Sequence, residues 1–337
     1  MYGLDASNLT SYLEAHVADF HGPIRIEKFS QGQSNPTYRI ETPSGSFVLR
    51  RKPAGGLLKS AHAIDREFRG ISARGATDVP VPEAHHLCTD ESVIGSWFYI
   101  MEYVEGTVFP DPALPGLTPT QRARIYDEAN RELAAIHAVD IEAAGLSDFG
   151  KAGNYYARQV SRWTKQYRAS ETQRIEDMET LIEWLPEHIP PEDGRVSLIH
   201  GDYRLDNLIF STDELNVAAV LDWELSTLGH PIADLAYLCM QRRMKTDQAI
   251  PGLHGLDLEL LGIPNEPDFL ASYCHRIELD NVEPWSFYLA CSFFRLAAIC
   301  QGVLKRALDG NASSDRAAEL GTMVSPLAAL GADAIRI

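Results

Sequence analysis

The sequence predicts an α+β protein of two lobes, a small strand-rich lobe over residues 1–105 and a larger, mostly α-helical lobe over 106–337. Three observations predict it. Short runs of strand-forming residues separated by turn residues fill much of the first hundred positions. Helical spacing of apolar residues dominates most of the remainder. Between 196 and 222, three strand-like runs bracket a group of Asp and Asn side chains, so a loop-bearing sheet element is set into the helical part. A chain of 337 residues, 45% of them hydrophobic, is long enough to bury a large core as one bilobal unit.

After an opening helix, residues 24–30, 37–41 and 46–51 read as strands, joined by a turn at Gly32 and another at Pro43-Ser44-Gly45. Ile64, Phe68 and Ile71 recur at helical spacing within 61–74 and place Glu67 on the edge of the buried stripe. Residues 97–103 form another strand leading to the acidic turn at Glu105-Gly106, where the lobe boundary falls. A helix over 155–167 puts Arg158, Arg162 and Lys165 on one face and Tyr156, Val160, Trp163 and Tyr167 on the other. Strands follow at 196–199, 208–210 and 217–221, and a helix begins near Ala233. The most apolar stretch, 287–294, is stopped by Arg295, short of the ~20 residues that span a bilayer, and reads as a buried helix.

The chemistry is concentrated in His200-Gly201-Asp202-Tyr203-Arg204-Leu205-Asp206-Asn207 and Asp222-Trp223-Glu224. Transfer of a phosphoryl group requires neutralised phosphate charge and an acceptor oxygen held in line, with little covalent help. Asp202 has the position of a base that orients an acceptor hydroxyl and takes its proton. Asn207, five residues on, and Asp222 offer the oxygen donors that Mg2+ prefers. A rival reading, a metallohydrolase using His200, Asp202 and Asp222, lacks a second ligand cluster, and His200 reads better as a packed residue bracing the loop. Ser34, in the turn before the charged strand, is positioned to let backbone amides approach phosphates, although no Gly-x-Gly-x-x-Gly is present.

Several short motifs occur in a specific order: Phe47-Val48-Leu49-Arg50-Arg51-Lys52-Pro53, Ser60 to Glu67, Val79-Pro80-Val81-Pro82, Met101-Glu102-Tyr103-Val104-Glu105-Gly106, the catalytic loop, and Gly229-His230-Pro231-Ile232-Ala233-Asp234. In that order they resemble the aminoglycoside phosphotransferase and choline kinase superfamily, and within it the branch associated with acyl-CoA dehydrogenases. The resemblance implies a protein-kinase-like bilobal fold and use of ATP or GTP with Mg2+. It places backbone groups at Glu102, Tyr103 and Val104 beside the adenine, and Asp234 as a prop for the catalytic loop. The family pattern carries a lysine paired with a helix glutamate on the third strand. Here Arg50 stands in that place opposite Glu67, with Lys52 beyond it, so either Arg50 or Lys52 orders the phosphates, or nucleotide binds poorly. Arg204 stands where kinases carry a phosphate-contacting lysine; it either stabilises the transition state or pairs with Asp206.

The net charge of −17 lies mostly in the second lobe, which carries −14, and argues against nucleic-acid binding. An acidic lobe suits a cationic acceptor, such as an aminoglycoside or a choline-like amino-alcohol, or serves solubility alone. The stripe of Arg158, Arg162 and Lys165 runs the other way. It is either a solvated face or a holder for the phosphates of a hydroxyacyl-CoA, the acceptor class the dehydrogenase-associated branch implies, with an acyl-CoA dehydrogenase as partner. A pseudokinase that binds nucleotide and regulates a partner is the reading from another class. The five cysteines show no Cys-x-x-Cys spacing and the first 20 residues no signal peptide, so a cytoplasmic home and no membrane association are expected.

Overall fold

The computed structural model describes residues 4–29, 35–53, 64–73, 77–310 and 316–336. It contains α1 (Ala6–His16), β1 (Arg25–Lys28), β2 (Thr37–Thr42), β3 (Gly45–Arg51), α2 (Ile64–Ser72), β4 (Ala84–Cys88) and β5 (Phe98–Glu102), then α3 (Pro119–His137), α4 (Tyr155–Ser170), α5 (Glu176–Glu187), β6 (Ser197–Ile199), β7 (Leu208–Phe210), β8 (Val217–Val220), β9 (Thr227–Gly229), α6 (Ile232–Cys239), α7 (Leu258–Leu261), α8 (Glu266–Arg276), α9 (Trp285–Leu308), α10 (Ala317–Gly321) and α11 (Val324–Ala334). This is a kinase-like α+β fold, with a small antiparallel sheet in one lobe and a helical second lobe.

Five strands form the first sheet in the order β1-β2-β3-β5-β4, all pairs antiparallel. Side chains alternate across a strand, and β3 uses both faces. Leu49 joins Leu9, Leu13, Ile40 and Ile100 in a core beneath α1, while Val48 joins Tyr99, Ile64 and Ile71 on the α2 side. Arg50 shares the face of Val48 and stands opposite Thr37 on β2 and Tyr99 on β5. The alternation therefore aims a guanidinium at α2.

Strand β4 was not foreseen. Its sequence, with two histidines in five residues, has no clean period, and its pairing with β5 carries a register shift between Ala84 and His86. Beyond β5 the chain crosses to the second lobe, and an antiparallel bridge between Thr107 and Phe210 ties that crossover to β7 at 2.8 and 2.9 Å. Thr118 and Gln121 then cap α3 reciprocally, with Pro119 at the first helical turn.

The second lobe is organised around α9, against which α4, α6 and α11 pack. The apolar stretch 287–294 lies in a buried helix, as expected, and that helix is 24 residues long and continues through Arg295. By length and composition α9 could cross a membrane, yet 78% of its apolar window is buried inside the protein, as in a core helix. Arg295 is tolerated because its guanidinium donates to the Gly201 carbonyl and lies against Tyr237 and Trp163, 4.9 and 5.6 Å from their ring centres. The five cysteines are buried and free.

Candidate active site

Strand β6 pairs with β9 and delivers the loop that begins at His200. Gly201 turns that loop at φ +84°, and a Cβ there would sit 2.5 Å from the Leu225 carbonyl oxygen, so both backbone conformation and space require glycine. The turn is held from behind by Asp234 on α6, a fully buried carboxylate that accepts the N–H of His200 at 2.6 Å and of Gly201 at 2.8 Å. Burial alone would raise the Asp234 pKa. The His137 ring, 3.3 Å away, and the loop amides outweigh it and hold the group below the usual carboxylate range.

His200 braces the loop, as its place in the sequence implied. Its Nε2 faces the Leu221 carbonyl at 2.7 Å and must donate, so Nδ1 is the acceptor for the Asp202 N–H at 3.2 Å. With both ring nitrogens so used, His200 is not free to ligate, and among the described residues no three His, Cys, Asp or Glu side chains cluster as a metal site. The metallohydrolase alternative has nothing to stand on.

A 3-10 turn, Leu205–Asn207, brings Asn207 back onto Asp202. The Asn207 amide nitrogen donates to the Asp202 carbonyl at 2.9 Å and to its Oδ2 at 3.2 Å, which leaves Asn207 Oδ1 as the atom with coordinating capacity. Asn207 also accepts the Leu221 N–H at 2.8 Å, so the residue before Asp222 is fastened to the same loop. Asp222 itself is left-handed at φ 65°, a conformation that costs a non-glycine residue roughly 1–2 kcal/mol and ends β8 abruptly.

Arg50 meets this group from the sheet lobe. Its Nε donates to Glu67 at 2.9 Å, and its Nη2 lies 2.5 Å from Asp222 Oδ1 and 3.5 Å from Glu224 Oε2. Burial pushes the Glu67 carboxyl up to about 7, with the Arg50 guanidinium pulling against it. The carboxylates around Arg50 hold its own charge firmly despite burial. Lys52 does not enter this cluster; its ammonium sits 6.0 Å from the Trp97 ring. Ser34 lies outside the described residues. Glu102 closes β5, and Tyr103 and Val104 begin the crossover, where the Arg39 guanidinium covers the Tyr103 ring at 4.3 Å.

Arg204 pairs with Asp206 at 2.8 Å, as one of its two sequence readings had it, and also approaches Asp202 Oδ1 at 3.5 Å. Burial works against its charge, but Asp202 and Asp206 keep the guanidinium protonated. The basic stripe also forms: Tyr156, Val160, Trp163 and Tyr167 are buried on α4, with Arg158, Arg162 and Lys165 on its outer side. Arg158 and Arg162 share a cavity with Lys151, whereas Lys165 lies outside its lining.

Four residues of the site were not read from the sequence. Tyr237 on α6 faces the Asp202 carboxylate, and Arg295 holds the Gly201 carbonyl. Asn35 donates to Glu224 at 3.0 Å while its buried Oδ1 has no partner among the described residues. Lys151 completes the cationic cavity. For Tyr237 the only local signal was its place one helical turn after Asp234, on the same face.

Asp234→Asn is expected to lower stability by about 3 kcal/mol, because an amide cannot accept both loop N–H groups and keep its His137 contact. Since the folded-state pKa is depressed, this stabilisation is complete above the ordinary carboxylate value of about 4 and fades as pH falls through the depressed folded value. Thermal unfolding should therefore show the two proteins far apart at neutral pH and converging in acid; parallel curves would overturn the assignment.

A strand-borne cation paired with a helix glutamate and facing an aspartate–asparagine loop and a further aspartate is the layout of the kinase-like phosphotransferases, here with Arg50 in the lysine's place. Residues 25–267 match the model of the phosphotransferase enzyme family, and the chain belongs to that family. It is 50% identical over 313 residues to acyl-CoA dehydrogenase family member 10 of Mus musculus, covering 93% of this chain but 29% of that relative's length. A crystal structure from Ralstonia eutropha, provisionally called an aminoglycoside phosphotransferase, is similar at TM-score 0.89 and 49% identity, with 98% of each chain covered. The aminoglycoside phosphotransferase APH(4)-Ia in complex with ADP and hygromycin B aligns at TM-score 0.61 and 14% identity over 96% of this chain and 97% of that one, a likeness of fold alone.

Proposed function

We propose that this chain is a small-molecule kinase that transfers the γ-phosphoryl group of ATP to an alcohol, with a hydroxyacyl-CoA as the first choice of acceptor. The observation that carries the reading is the union of Asp202 and Asn207 at 2.9 and 3.2 Å on a loop fastened to Asp222. In this reading Asp202 accepts the acceptor's hydroxyl proton as the new O–P bond forms and the bond between the γ-phosphorus and the β–γ bridging oxygen breaks, and ADP leaves. Asn207, Arg204 and Tyr237 hold the carboxylate in position for that acceptance.

The donor set suits Mg2+, since Asn207 Oδ1 and the Asp222 oxygen not taken by Arg50 are hard oxygen ligands. When bound, the metal supplies neutralising charge on the phosphates. Arg50, positioned by Glu67, is the cation that orders the nucleotide phosphates; the nucleotide is ATP or GTP, and backbone groups at 102–104 take its purine.

Acyl-CoA as the acceptor's class is supported by the name of the mouse relative and by the cationic face of α4. An acyl-CoA dehydrogenase is proposed as a partner on the same grounds. The aminoglycoside or amino-alcohol alternative draws on the structural neighbours' names, and the cations at α4 speak against it. The test is transfer of labelled phosphate from ATP to a panel of hydroxyacyl-CoAs, amino-alcohols and aminoglycosides with Mg2+. Turnover confined to hydroxyacyl-CoAs is expected. Turnover confined to cationic acceptors would replace the acceptor class, and nucleotide binding without turnover of any would favour the pseudokinase.

A further inference from the structure

A cavity of about 310 Å3 lies between α4, β9 and the segment that precedes α4, and Lys151, Arg158 and Arg162 contribute three cations to its wall. Among the described residues its lining contains no carboxylate, in a lobe whose formal charge is −14. Arg158 donates to the Lys151 backbone carbonyl at 2.6 Å, which fixes the Arg158 side chain beside Lys151 without neutralising it. Arg162 makes no ion pair among the described residues; its guanidinium lies 5.2 Å from the centre of the Trp163 ring. Glu192 is the acid at this end of α4, and it is engaged by the Asn154 N–H.

The cavity is one strand away from the catalytic loop. Thr227 and Leu228 of β9 wall it and pair with Ile199 and Leu198 of β6, immediately before His200. Arg295 lies between, bonded to the Gly201 carbonyl and packed on the same Trp163 whose neighbour is Arg162. Burial first, and the Arg295 charge after it, lower the Arg162 pKa.

Uncompensated cations on a folded surface are stabilised by an anion that arrives from outside. Guanidinium forks one helical turn apart match phosphate oxygens in geometry and charge. The volume is at the low end of the ~300–1,000 Å3 of ligand sites, enough for the phosphorylated end of an acceptor and too little for a whole coenzyme. We propose that Lys151, Arg158 and Arg162 form a subsite that anchors the acceptor by a phosphate group remote from its reacting hydroxyl, and so select phosphate-bearing alcohols over cationic ones. This rests on the kinase reading and deepens it.

The test is calorimetry with the nucleotide site saturated by a non-hydrolysable ATP analogue and Mg2+, which needs no turnover. Coenzyme A and inorganic pyrophosphate should bind, pantetheine, which lacks the phosphates, should not, and R158E/R162E should weaken coenzyme A by roughly 30-fold or more. The same variant should raise the acceptor's KM far more than it lowers kcat. R158Q/R162Q, with the salt dependence of coenzyme A binding, serves if charge reversal impairs folding. Equal coenzyme A affinity in wild type and variants, tight pantetheine binding, or no binding of either phosphate probe would each overturn the subsite. Arginine-dependent binding in a chain that transfers no phosphate would keep it and sink the kinase reading instead.

Discussion

Asp202→Asn is expected to lower kcat by ~10^2–10^4-fold while leaving nucleotide affinity unchanged. The substitution keeps a side-chain carbonyl for the Asn207 amide, which now donates at 3.2 Å, so the loop's shape survives. It removes the acceptor that takes the hydroxyl proton. An interaction made only in the transition state lowers kcat and kcat/KM together, and that pattern is the expected one in a coupled ADP-release assay. Calorimetry with ATP and Mg2+ on the same protein supplies the second readout. Retained turnover would remove Asp202 from the chemistry, and lost nucleotide binding would mean that the loop supports the phosphates rather than the acceptor. Acceptor binding should survive as well, because the Arg158 and Arg162 subsite lies across β9 from the mutated loop.

The difference between what was legible in the sequence and what was not follows the range of the interactions. Asp202 and Asn207 sit within a single turn, so their spacing alone dictates that they meet. The strands around them are short runs whose composition and bounding turns identify them. Arg50 and Glu67 were legible because a period of two on a strand and of 3.6 on a helix each assign a face. Nothing local announces that Asp222 and Glu224 converge on the same guanidinium from 172 and 174 positions away, or that Arg295 reaches Gly201 across 94 residues. Arg295 also shows why a charge in an apolar run misleads. The run was read as ending there, but the Gly201 turn supplies a carbonyl and Tyr237 and Trp163 supply two rings for the guanidinium, and the helix continues. Strand β9 escaped notice for a related reason: three residues of mixed character have no period, and only the pairing with β6 makes them a strand. Lys151 belongs to the cationic cavity through a loop that no helical wheel includes.

Arg50→Met is expected to destabilise the protein by ~3–5 kcal/mol, the cost of removing one partner from a buried charge pair. The loss is large because one guanidinium serves Glu67, Asp222 and Glu224, whose side chains are 2%, 30% and 16% exposed. Glu67 carries most of the penalty, being the deepest, so adding Glu67→Gln to Arg50→Met should restore part of the stability. That non-additivity is the signature of contact. The pH dependence has a definite sign. Burial already lifts Glu67 to about 7 with Arg50 present, and without Arg50 the carboxyl rises further. A raised folded-state pKa favours folding fully below the ordinary carboxylate range and loses that advantage as pH rises through the raised value. The deficit of Arg50→Met should therefore be larger at pH 8 than at pH 5.5, and Glu67→Gln should flatten the difference, both read from urea midpoints at constant m. A solvated charge run would instead give about 0.5 kcal/mol or less with no pH trend. Arg50→Lys separates charge from shape: an ammonium keeps the charge but cannot span Glu67 and Asp222 as a planar fork does. It should recover some stability, and nucleotide affinity should fall if the fork is what orders the phosphates.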